Sequence, residues 1–329
     1  MQEQPQQPQQ PRIDAVTGAF SYTGRFIARR LLEDGRRVRT LTNHSHRPGA
    51  EDVEAAVEVE PLRFDDRSRL IASLRGVDVL YNTYWVRFPH GGLDFDLAVA
   101  NTRILISAAE AAGVRKFVQI SVSNPSVDSP LPYYAGKARA EELVRESALK
   151  WAIVRPTLVF GPGDILINNI AWMLRNMPVF GIPGLGHYRL QPVDIEDVAD
   201  IAVNAARHEE SITVDAAGPE ILTYTELVDQ IAIAVRNRPP YVYLPPSLVT
   251  LAGKVLGLFL RDVILTSEEV KGLMMELLVS DEPPQGTRRF DDWLLRQAET
   301  IGRSYASELE RHFRMPGAIT QTDPRPAQP

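Results

Sequence analysis

Short apolar runs alternate with segments of helical spacing through the first half of the chain. Phe26, Ile27, Leu31 and Leu32 form one helical stripe, which stops at Gly35. The runs predicted as strands are 12–17, 37–42, 77–85, 116–123 and 151–161, and the helices between them include 101–113 and 133–147. This order predicts an α/β fold with a doubly wound parallel sheet, whose ligands bind at the carboxyl ends of the strands.

The pattern changes near Gly161. Residues 161–189 combine a helix with a loop rich in glycine and proline, residues 190–216 return to the sheet layer, and the remainder is mostly helical. We therefore predict a core domain of residues 12–160 that also includes 190–216. A smaller, mostly helical region would consist of 161–189 and 217–315.

Several helices of the second half are predicted from local signals. Capping boxes are expected at Thr223 with Glu226 and at Thr266 with Glu269. In a capping box, a threonine and a glutamate three residues later each accept a hydrogen bond from the other's backbone N–H. A last helix is predicted over about 289–314. It would place one apolar stripe on a single face, formed by Ile301, Tyr305, Leu309 and Phe313.

The most apolar internal run is LVTLAGKVLGLFL, residues 248–260. Lys254 interrupts it, and it is shorter than the roughly 20 residues that a membrane-spanning helix needs. The run predicts a buried helix, and the alternative is a helix that faces lipid at a membrane surface. We expect no transmembrane segment.

Composition narrows the possible functions. The chain has 329 residues, 44% of them hydrophobic, a formal net charge of −6 and no cysteine. Spread basic residues predict no nucleic-acid partner, and the lack of cysteine excludes disulfides and thiolate chemistry. Residues 1–11 and 316–329, rich in Gln and Pro, are predicted to be disordered tails. Without a signal peptide in this sequence, we expect a cytoplasmic protein.

The stretch TGAFSYTG, residues 17–24, joins the first predicted strand to the first helix. In a phosphate-binding turn the first glycine makes the bend, the second lets the backbone approach the pyrophosphate and the third permits close helix packing. Gly18 and Gly24 occupy the first and third places, and Ser21 occupies the second. The turn predicts a dinucleotide site at the helix N-terminus. A strand-to-helix turn without a ligand is the alternative.

Four motifs in order make the chain resemble the extended or atypical branch of the short-chain dehydrogenase/reductase superfamily, which includes NAD-dependent epimerases and NmrA-like proteins. They are TGAFSYTG, YYAGK, VRPTLVFGPGD and LQPVDIEDVAD, within residues 13–235. The resemblance implies a Rossmann fold, an NAD(P) cofactor and a small-molecule substrate bound by the smaller region. It also implies an oxidoreductase or epimerase that acts on a hydroxyl or carbonyl group.

The resemblance further implies a catalytic Ser/Tyr/Lys site at Ser123, Tyr133 and Lys137, with Ser121 as the alternative serine. Tyr133 and Lys137 lie four apart and share one helix face. A neighbouring ammonium stabilises phenolate, so we expect Lys137 to lower the tyrosine pKa and Tyr133 to transfer the proton.

The cofactor contacts follow from the same motifs. Asn43 ends the second predicted strand in place of an acid, so no carboxylate would repel a 2′-phosphate, and NADP is favoured over NAD. Arg63 occupies the place of the family's adenine-binding aspartate, and that contact is expected to be altered or to move to Asp65 or Asp66. The predicted cofactor-binding residues are Gly18, Phe20, Ser21, Tyr22, Thr23, Gly24, Asn43, Asp65, Asn82, Thr83, Lys137 and Pro156.

Aromatic and amide side chains are the candidates for the substrate pocket: Tyr84, Trp85, Asn124 and Asn168. The histidines lack ligand spacing, so no metal site is predicted. Two function classes are left open. One is an NAD(P)-dependent oxidoreductase or epimerase, for which a homodimer is the expected assembly. The other is a non-catalytic NAD(P)-binding protein, either a regulator or an accessory subunit resembling the 39 kDa-type subunit of respiratory NADH dehydrogenase.

Overall fold

The computed structural model describes residues 13–44, 46–263 and 266–313, with the side chains of His312 and Phe313 excepted. The strands are β1 Ile13–Thr17, β2 Arg37–Leu41, β3 Glu58–Glu60, β4 Val77–Asn82, β5 Lys116–Ile120, β6 Lys150–Pro156, β7 Leu158–Phe160, β8 Phe180–Pro183, β9 Arg189–Leu190, β10 Pro192–Asp194, β11 Ile212–Ala216, β12 Leu222–Thr223 and β13 Tyr241–Leu244. The helices are α1 Tyr22–Glu33, α2 Glu51–Glu54, α3 Arg67–Ser73, α4 Phe95–Ala112, α5 Pro132–Glu146, α6 Leu166–Asn176, α7 Ile195–Arg207, α8 Tyr224–Ala234, α9 Pro246–Leu260, α10 Ser267–Met274, α11 Phe290–Gln297 and α12 Glu308–Phe313. Both predicted tails lie outside the described residues.

A seven-stranded parallel sheet organises the molecule, which confirms the predicted doubly wound α/β fold. Its strand order is β11-β6-β5-β4-β1-β2-β3. The order reverses between β1 and β4, where parallel sheets of this kind open a crevice for ligands at their carboxyl edge. The edge strand β3 was not predicted because its three residues, Glu-Val-Glu, carry no apolar run; short, charged strands are usual at sheet edges.

Three large apolar cores form among the described residues. The first packs α1 and α7 against the large sheet, and the third packs α3, α4 and α5 against it. The second joins α6, β8, α8 and α11, with Phe160, Phe290 and Trp293 as an aromatic centre at ring separations of 5.0–6.2 Å. Both predicted capping boxes are present, at Thr223 with Glu226 and at Thr266 with Glu269. None of the described helices combines the length and apolar character needed to cross a membrane.

The prediction that residues 248–260 form a buried helix is wrong. The segment is helical, as α9, but Leu251, Leu258 and Phe259 are 57%, 79% and 80% exposed. The helix is apolar around most of its circumference, and only one face packs, against β8 and α10. Apolar residues on the other face therefore have no protein to cover them among the described residues.

The prediction of one continuous helix over 289–314 is also wrong. The segment forms α11 and the short α12, with turns between them. Gly302 adopts φ +69°, and a Cβ there would lie 2.5 Å from the backbone of Ala171 in α6. Gly302 turns left-handed where the chain passes close to α6, so a continuous helix cannot run through this position. Phe313, the end of the predicted stripe, has no described side chain.

Candidate functional site

The turn between β1 and α1 has the geometry of a phosphate loop. Gly18 has φ +65°, which favours glycine, and its carbonyl accepts from the amide of Ser21 at 2.8 Å. A Cβ on Gly24 would lie 2.2 Å from the carbonyl oxygen of Gly18, so only glycine lets α1 pack this closely. Ser21 has φ −77°, an ordinary conformation for any residue. The turn therefore needs its first and third glycines but not a second one.

The N-terminus of α1 is open toward the ligand edge. Ser21 occupies the N-cap position, yet its hydroxyl makes no capping hydrogen bond to the first turn. The first amides of a helix lack intrahelical partners, and the helix dipole favours an anion there. This end of α1 thus offers the donors and the field that a pyrophosphate requires.

Unpaired polar atoms surround this helix end. Asn43 Oδ1, His44 Nδ1 and the Tyr22 hydroxyl are buried without a hydrogen-bond partner in the part of the chain that the structure describes. Burial raises the pKa of Tyr22, and Asp164 acts in the same direction. Buried polar atoms are normally paired, so three of them around one cleft fit a polar ligand. The Gly18–Gly24 loop and these atoms fit a dinucleotide.

Three arginines from distant parts of the sequence meet beside the loop. Arg25 donates to the carbonyls of Gly49 and Pro162, and Arg311 of α12 donates to the carbonyl of Gly163 at 2.6 Å. Arg47 donates to the carbonyl of Arg311 at 3.2 Å. Burial lowers the pKa of both Arg25 and Arg47, and neighbouring arginines, Arg311 among them, act in the same direction. Cations gathered in this way fit a phosphate-bearing ligand.

The predicted adenine contact, Asp65, lies at the cavity in an ion pair. Its carboxylate is 2.7 Å from Arg63, and this hydrogen bond lowers the pKa of Asp65 to about 2. Its neighbour Asp66 caps α3 by accepting from the amide of Arg69. Of the two carboxylates, Asp65 is therefore the one placed to meet a ligand.

A large cavity of about 1830 Å³ opens along the ligand edge. Typical small-molecule pockets measure roughly 300–1,000 Å³, so this one has room for a dinucleotide and a second molecule. The structure brings together at its wall the predicted residues Gly18, Ser21, Tyr22, Thr23, Asn43, Asp65, Thr83, Tyr84, Trp85, Tyr133, Lys137 and Pro156. It places Phe20, Gly24, Asn82, Ser123, Asn124 and Asn168 away from this wall.

Phe20 and Asn82 lie beneath the cavity surface. Phe20 belongs to the core under α1. Asn82 is fully buried between strands, where its amide donates to Gln119 and accepts from Thr17. Thr17 in turn accepts from the amides of Thr83 and Tyr84. Asn82 thus positions the end of β4, while Thr83 and Tyr84 reach the cavity.

Ser123 and Asn124 do not line the cavity, in contrast to their predicted catalytic and substrate-binding positions. The hydroxyl of Ser123 donates to the carbonyl of Leu277 at 2.6 Å, and Asn124 donates to Leu277 and Val279. Both side chains hold the segment after α10 instead of facing the cavity. Ser121, the alternative serine, lies at the cavity wall and donates to Glu141 at 2.5 Å.

Asn168 also has a positioning contact in place of the predicted substrate contact. Its amide donates to the carbonyl of Ser304 and accepts from the amide of Gly302, which fixes the turn between α11 and α12. The next residue, Asn169, lies at the cavity, but its amide is occupied by Ala306. Sequence spacing placed both asparagines on α6 without showing which segment would pack on that helix.

Tyr133 and Lys137 lie one turn apart on α5 and both face the cavity. Lys137 is buried, donates to the carbonyl of Ile120 at 3.0 Å and stands 4.4 Å from the ring centroid of Trp85 and 6.0 Å from that of Tyr133. Trp85 packs edge-on to Tyr133, with ring centroids 6.3 Å apart. Its indole nitrogen is buried and has no partner among the described residues. The phenol of Tyr133, the amine of Lys137 and the unpaired indole N–H of Trp85 therefore lie close together at the cavity wall.

Burial sets the protonation of this pair. It lowers the pKa of Lys137 to about 7, against the opposing charge of Glu141. It raises the pKa of Tyr133, and Arg87 acts in the lowering direction. The expected lowering of the tyrosine pKa by Lys137 does not appear; the cation that lowers it here is Arg87.

Two charged groups that the sequence analysis missed border this centre. Glu141 is fully buried under Ser121 and accepts from Arg155 and Arg145. Arg87 pairs with Glu269 of α10 at 2.7 Å, and Glu308 of α12 is 3.5 Å away. No motif signals such pairs, because their members meet only through tertiary packing. The described residues contain no group of three or more His, Asp or Glu side chains placed to hold a metal ion.

Comparisons with known proteins agree with this geometry. Residues 18–164 match a family model described as NAD(P)H-binding. Subunit 9 of the mitochondrial NADH dehydrogenase [ubiquinone] 1 alpha subcomplex from Arabidopsis thaliana is 25% identical, covering 82% of this chain and 71% of that protein. The ceramide reductase of Caulobacter vibrioides is 27% identical, covering 83% and 86%. The triphenylmethane reductase of Citrobacter sp., solved with NADP(H), shares the fold with a TM-score of 0.71 at 16% identity, covering 87% and 99%.

The family match begins at the first loop glycine and ends at Asp164 beside Tyr22. It therefore includes the phosphate loop, the β4 end and the Tyr133–Lys137 pair. Residues 18–164 therefore match an NAD(P)H-binding family model, and the chain shares the Rossmann-like α/β fold of a reductase that was solved with NADP(H).

Proposed function

We propose that the protein is an NAD(P)-dependent oxidoreductase that interconverts a carbonyl and a hydroxyl group. The observation that carries the proposal is that Tyr133 and Lys137 line the same cavity as the Gly18–Gly24 loop. A dinucleotide held by the loop and a substrate near Tyr133 would therefore share one cavity. Bound NAD(P)H supplies the hydride, or NAD(P)⁺ accepts it.

Tyr133 is the proposed proton donor and acceptor. Its ring is held by Trp85 and Phe95, with centroids 6.3 and 5.7 Å away, so the phenol has a fixed position at the start of α5. The helix N-terminus favours the phenolate, and Arg87 favours it too. The helix N-terminus and Arg87 both stabilise the phenolate and so favour a lower tyrosine pKa, whereas burial raises that pKa.

Lys137 is proposed to bind the ribose and to exchange a proton with Tyr133. Its pKa of about 7 in the protein without ligand means that both protonation states are populated near neutral pH. The lysine is anchored by the Ile120 carbonyl, so its remaining hydrogens can point into the cavity.

We propose that Trp85 and Ser121, not Ser123, face the substrate oxygen. The indole N–H of Trp85 is buried and unpaired among the described residues, and it lies beside both Tyr133 and Lys137. Ser121 is at the cavity wall, with its hydrogen directed to Glu141. The Trp85 donor is thus available without rearrangement.

We propose NADP as the preferred cofactor. The end of β2 presents Asn43 and Arg47 to the cavity and no carboxylate, and the nearby Asp65 is neutralised by Arg63. Arg47 is placed to pair with a 2′-phosphate. Its neutral neighbour Asn43 would not repel that group.

Substitution of the tyrosine and the lysine tests the mechanism. Tyr133→Phe keeps the ring, so we expect unchanged folding and NADPH affinity but turnover reduced by about 10²- to 10⁴-fold, as for loss of a general acid. Lys137→Met removes a ribose contact, so both NADPH affinity and turnover should fall. The measurements are NADPH fluorescence titration and NADPH absorbance during a screen of ketones and secondary alcohols. Sugar nucleotides are followed by product analysis, since epimerases return the cofactor unchanged.

Tyr243→Phe is the matched control, because that phenol is 49% exposed and does not line the cavity. It should leave turnover unchanged. Wild-type turnover by the Tyr133→Phe protein would refute the proposed mechanism, although the dinucleotide site would still stand.

A second candidate is a non-catalytic accessory subunit that binds NAD(P). It is favoured by the turned-away Ser123 and by the relative from Arabidopsis thaliana, named as a subunit of mitochondrial NADH dehydrogenase. This candidate predicts tight NADPH binding, no turnover with any substrate class and a protein partner. The cytoplasmic location and the homodimer stay predictions, which cell fractionation and light scattering test.

A further inference from the structure

The part of the cavity beyond Tyr133 is walled by hydrocarbon. Leu278 contacts both the cluster around Tyr133 and the second core, and so leads from the reacting centre toward α6 and β8. There the wall is formed by Met173, Phe180 and Leu244, together with Val249 and Leu256 of α9. We call this part the apolar limb.

Few polar groups reach the apolar limb from its four walls, α6, β8, β13 and α9. Asn169 is the polar side chain that these four elements present, and its amide is already paired with Ala306. The polar cavity residues next to α9 belong to the start of α10, where Ser267, Glu268 and Glu269 line the cavity. A sugar would leave its hydroxyl groups without partners in such a space, at a cost of about 1–3 kcal/mol for each. A hydrocarbon chain meets no such penalty.

The helix α9 forms one wall of the apolar limb. Protein interiors are normally close-packed, so an apolar part of the cavity that no side chain fills fits a ligand. Val249, Gly253 and Leu256 face the limb at helical spacing, while Leu251, Leu258 and Phe259 face outward. Only Thr250 and Gly257 of α9 are buried, so this helix serves as a wall between the limb and the exterior.

We propose that the second ligand is a long-chain amphiphile, with its oxygenated head at Tyr133 and its hydrocarbon chain in the apolar limb. The reaction rests on the proposed function. In the reductive direction a ketone accepts hydride from NAD(P)H at carbon and a proton from Tyr133 at oxygen. The products are the secondary alcohol and NAD(P)⁺, and a proton from solvent restores the tyrosine.

Chain length is the direct test. The wild-type protein is loaded with NADPH, and a fluorescent probe, dansylaminoundecanoic acid, is displaced by methyl ketones from butanone to hexadecanone. Each methylene buried in the limb should raise affinity by about fourfold until the limb is full. If the wild-type protein binds all the methyl ketones with equal affinity, the proposal is refuted without any variant.

A pair of variants on α9 locates the chain. Val249→Asp puts a carboxylate in the limb, and Leu251→Asp puts the same group on the exposed face of the same helix. We expect Val249→Asp to weaken hexadecanone binding by about tenfold or more, with NADPH affinity unchanged as evidence of folding. Leu251→Asp should behave as wild type. Wild-type affinity in the folded Val249→Asp protein would refute the assignment.

Binding and turnover together separate the two proposals. Length-dependent ketone binding without any NADPH oxidation supports the amphiphile site and refutes the proposed oxidoreductase. Turnover of short ketones with no dependence on chain length supports the oxidoreductase and refutes the amphiphile site.

Discussion

At the scale of single residues, the phosphate loop shows which glycines geometry requires. A side chain at Gly24 would meet the Gly18 carbonyl at 2.2 Å, whereas Ser21 has an ordinary φ and a side chain that fits. We expect Gly24→Val to abolish NADPH binding and to destabilise the fold by about 1–3 kcal/mol, as overpacking does. Ser21→Gly should bind NADPH within a factor of about three of wild type. Fluorescence titration and urea unfolding measure both effects, and unchanged NADPH affinity in the Gly24→Val protein would contradict the loop assignment.

At the scale of elements, α9 has an apolar face that the described protein does not cover. Leu258→Ala with Phe259→Ala should lower the free energy of unfolding by less than about 1 kcal/mol, because both side chains are already exposed. Leu227→Ala in the buried face of α8 is the matched control, and it should cost about 2–5 kcal/mol. Urea unfolding compares the two proteins. A loss above about 2 kcal/mol in the α9 variant would show that its outer face is packed in solution.

At the scale of the whole molecule, the cofactor site depends on the C-terminal segment. Asp262 at the end of α9 accepts from Tyr305 and from the amides of Glu308 and Leu309, which sets α12 beside the loop. The carbonyl of Arg311 in α12 then accepts from Arg47. We expect Arg47→Gln to weaken NADPH binding by about tenfold or more, and NADH binding by far less, because only NADPH carries the 2′-phosphate. Titrations of the Arg47→Gln protein with NADPH and with NADH measure both affinities. An equal loss of affinity for the two cofactors would contradict a preference for NADP.

The sequence by itself determined the doubly wound sheet, the phosphate loop and the Tyr133–Lys137 pair. These features depend on local rules: apolar periodicity, glycine at fixed spacing, and two residues four apart on a helix. For the same reason both capping boxes were predicted correctly. The weak edge strand β3 was missed because it lacks the periodic signal on which those rules rest.

Only the tertiary structure decided which neighbouring side chains reach the cavity. Ser121 and Ser123 are equivalent by strand spacing, and the carbonyl of Leu277, distant in sequence, draws the second one away. The same holds for Asn168, for the Arg87–Glu269 pair and for the exposed face of α9. A local pattern shows that a helix is apolar, but what covers that helix depends on segments that meet it in space.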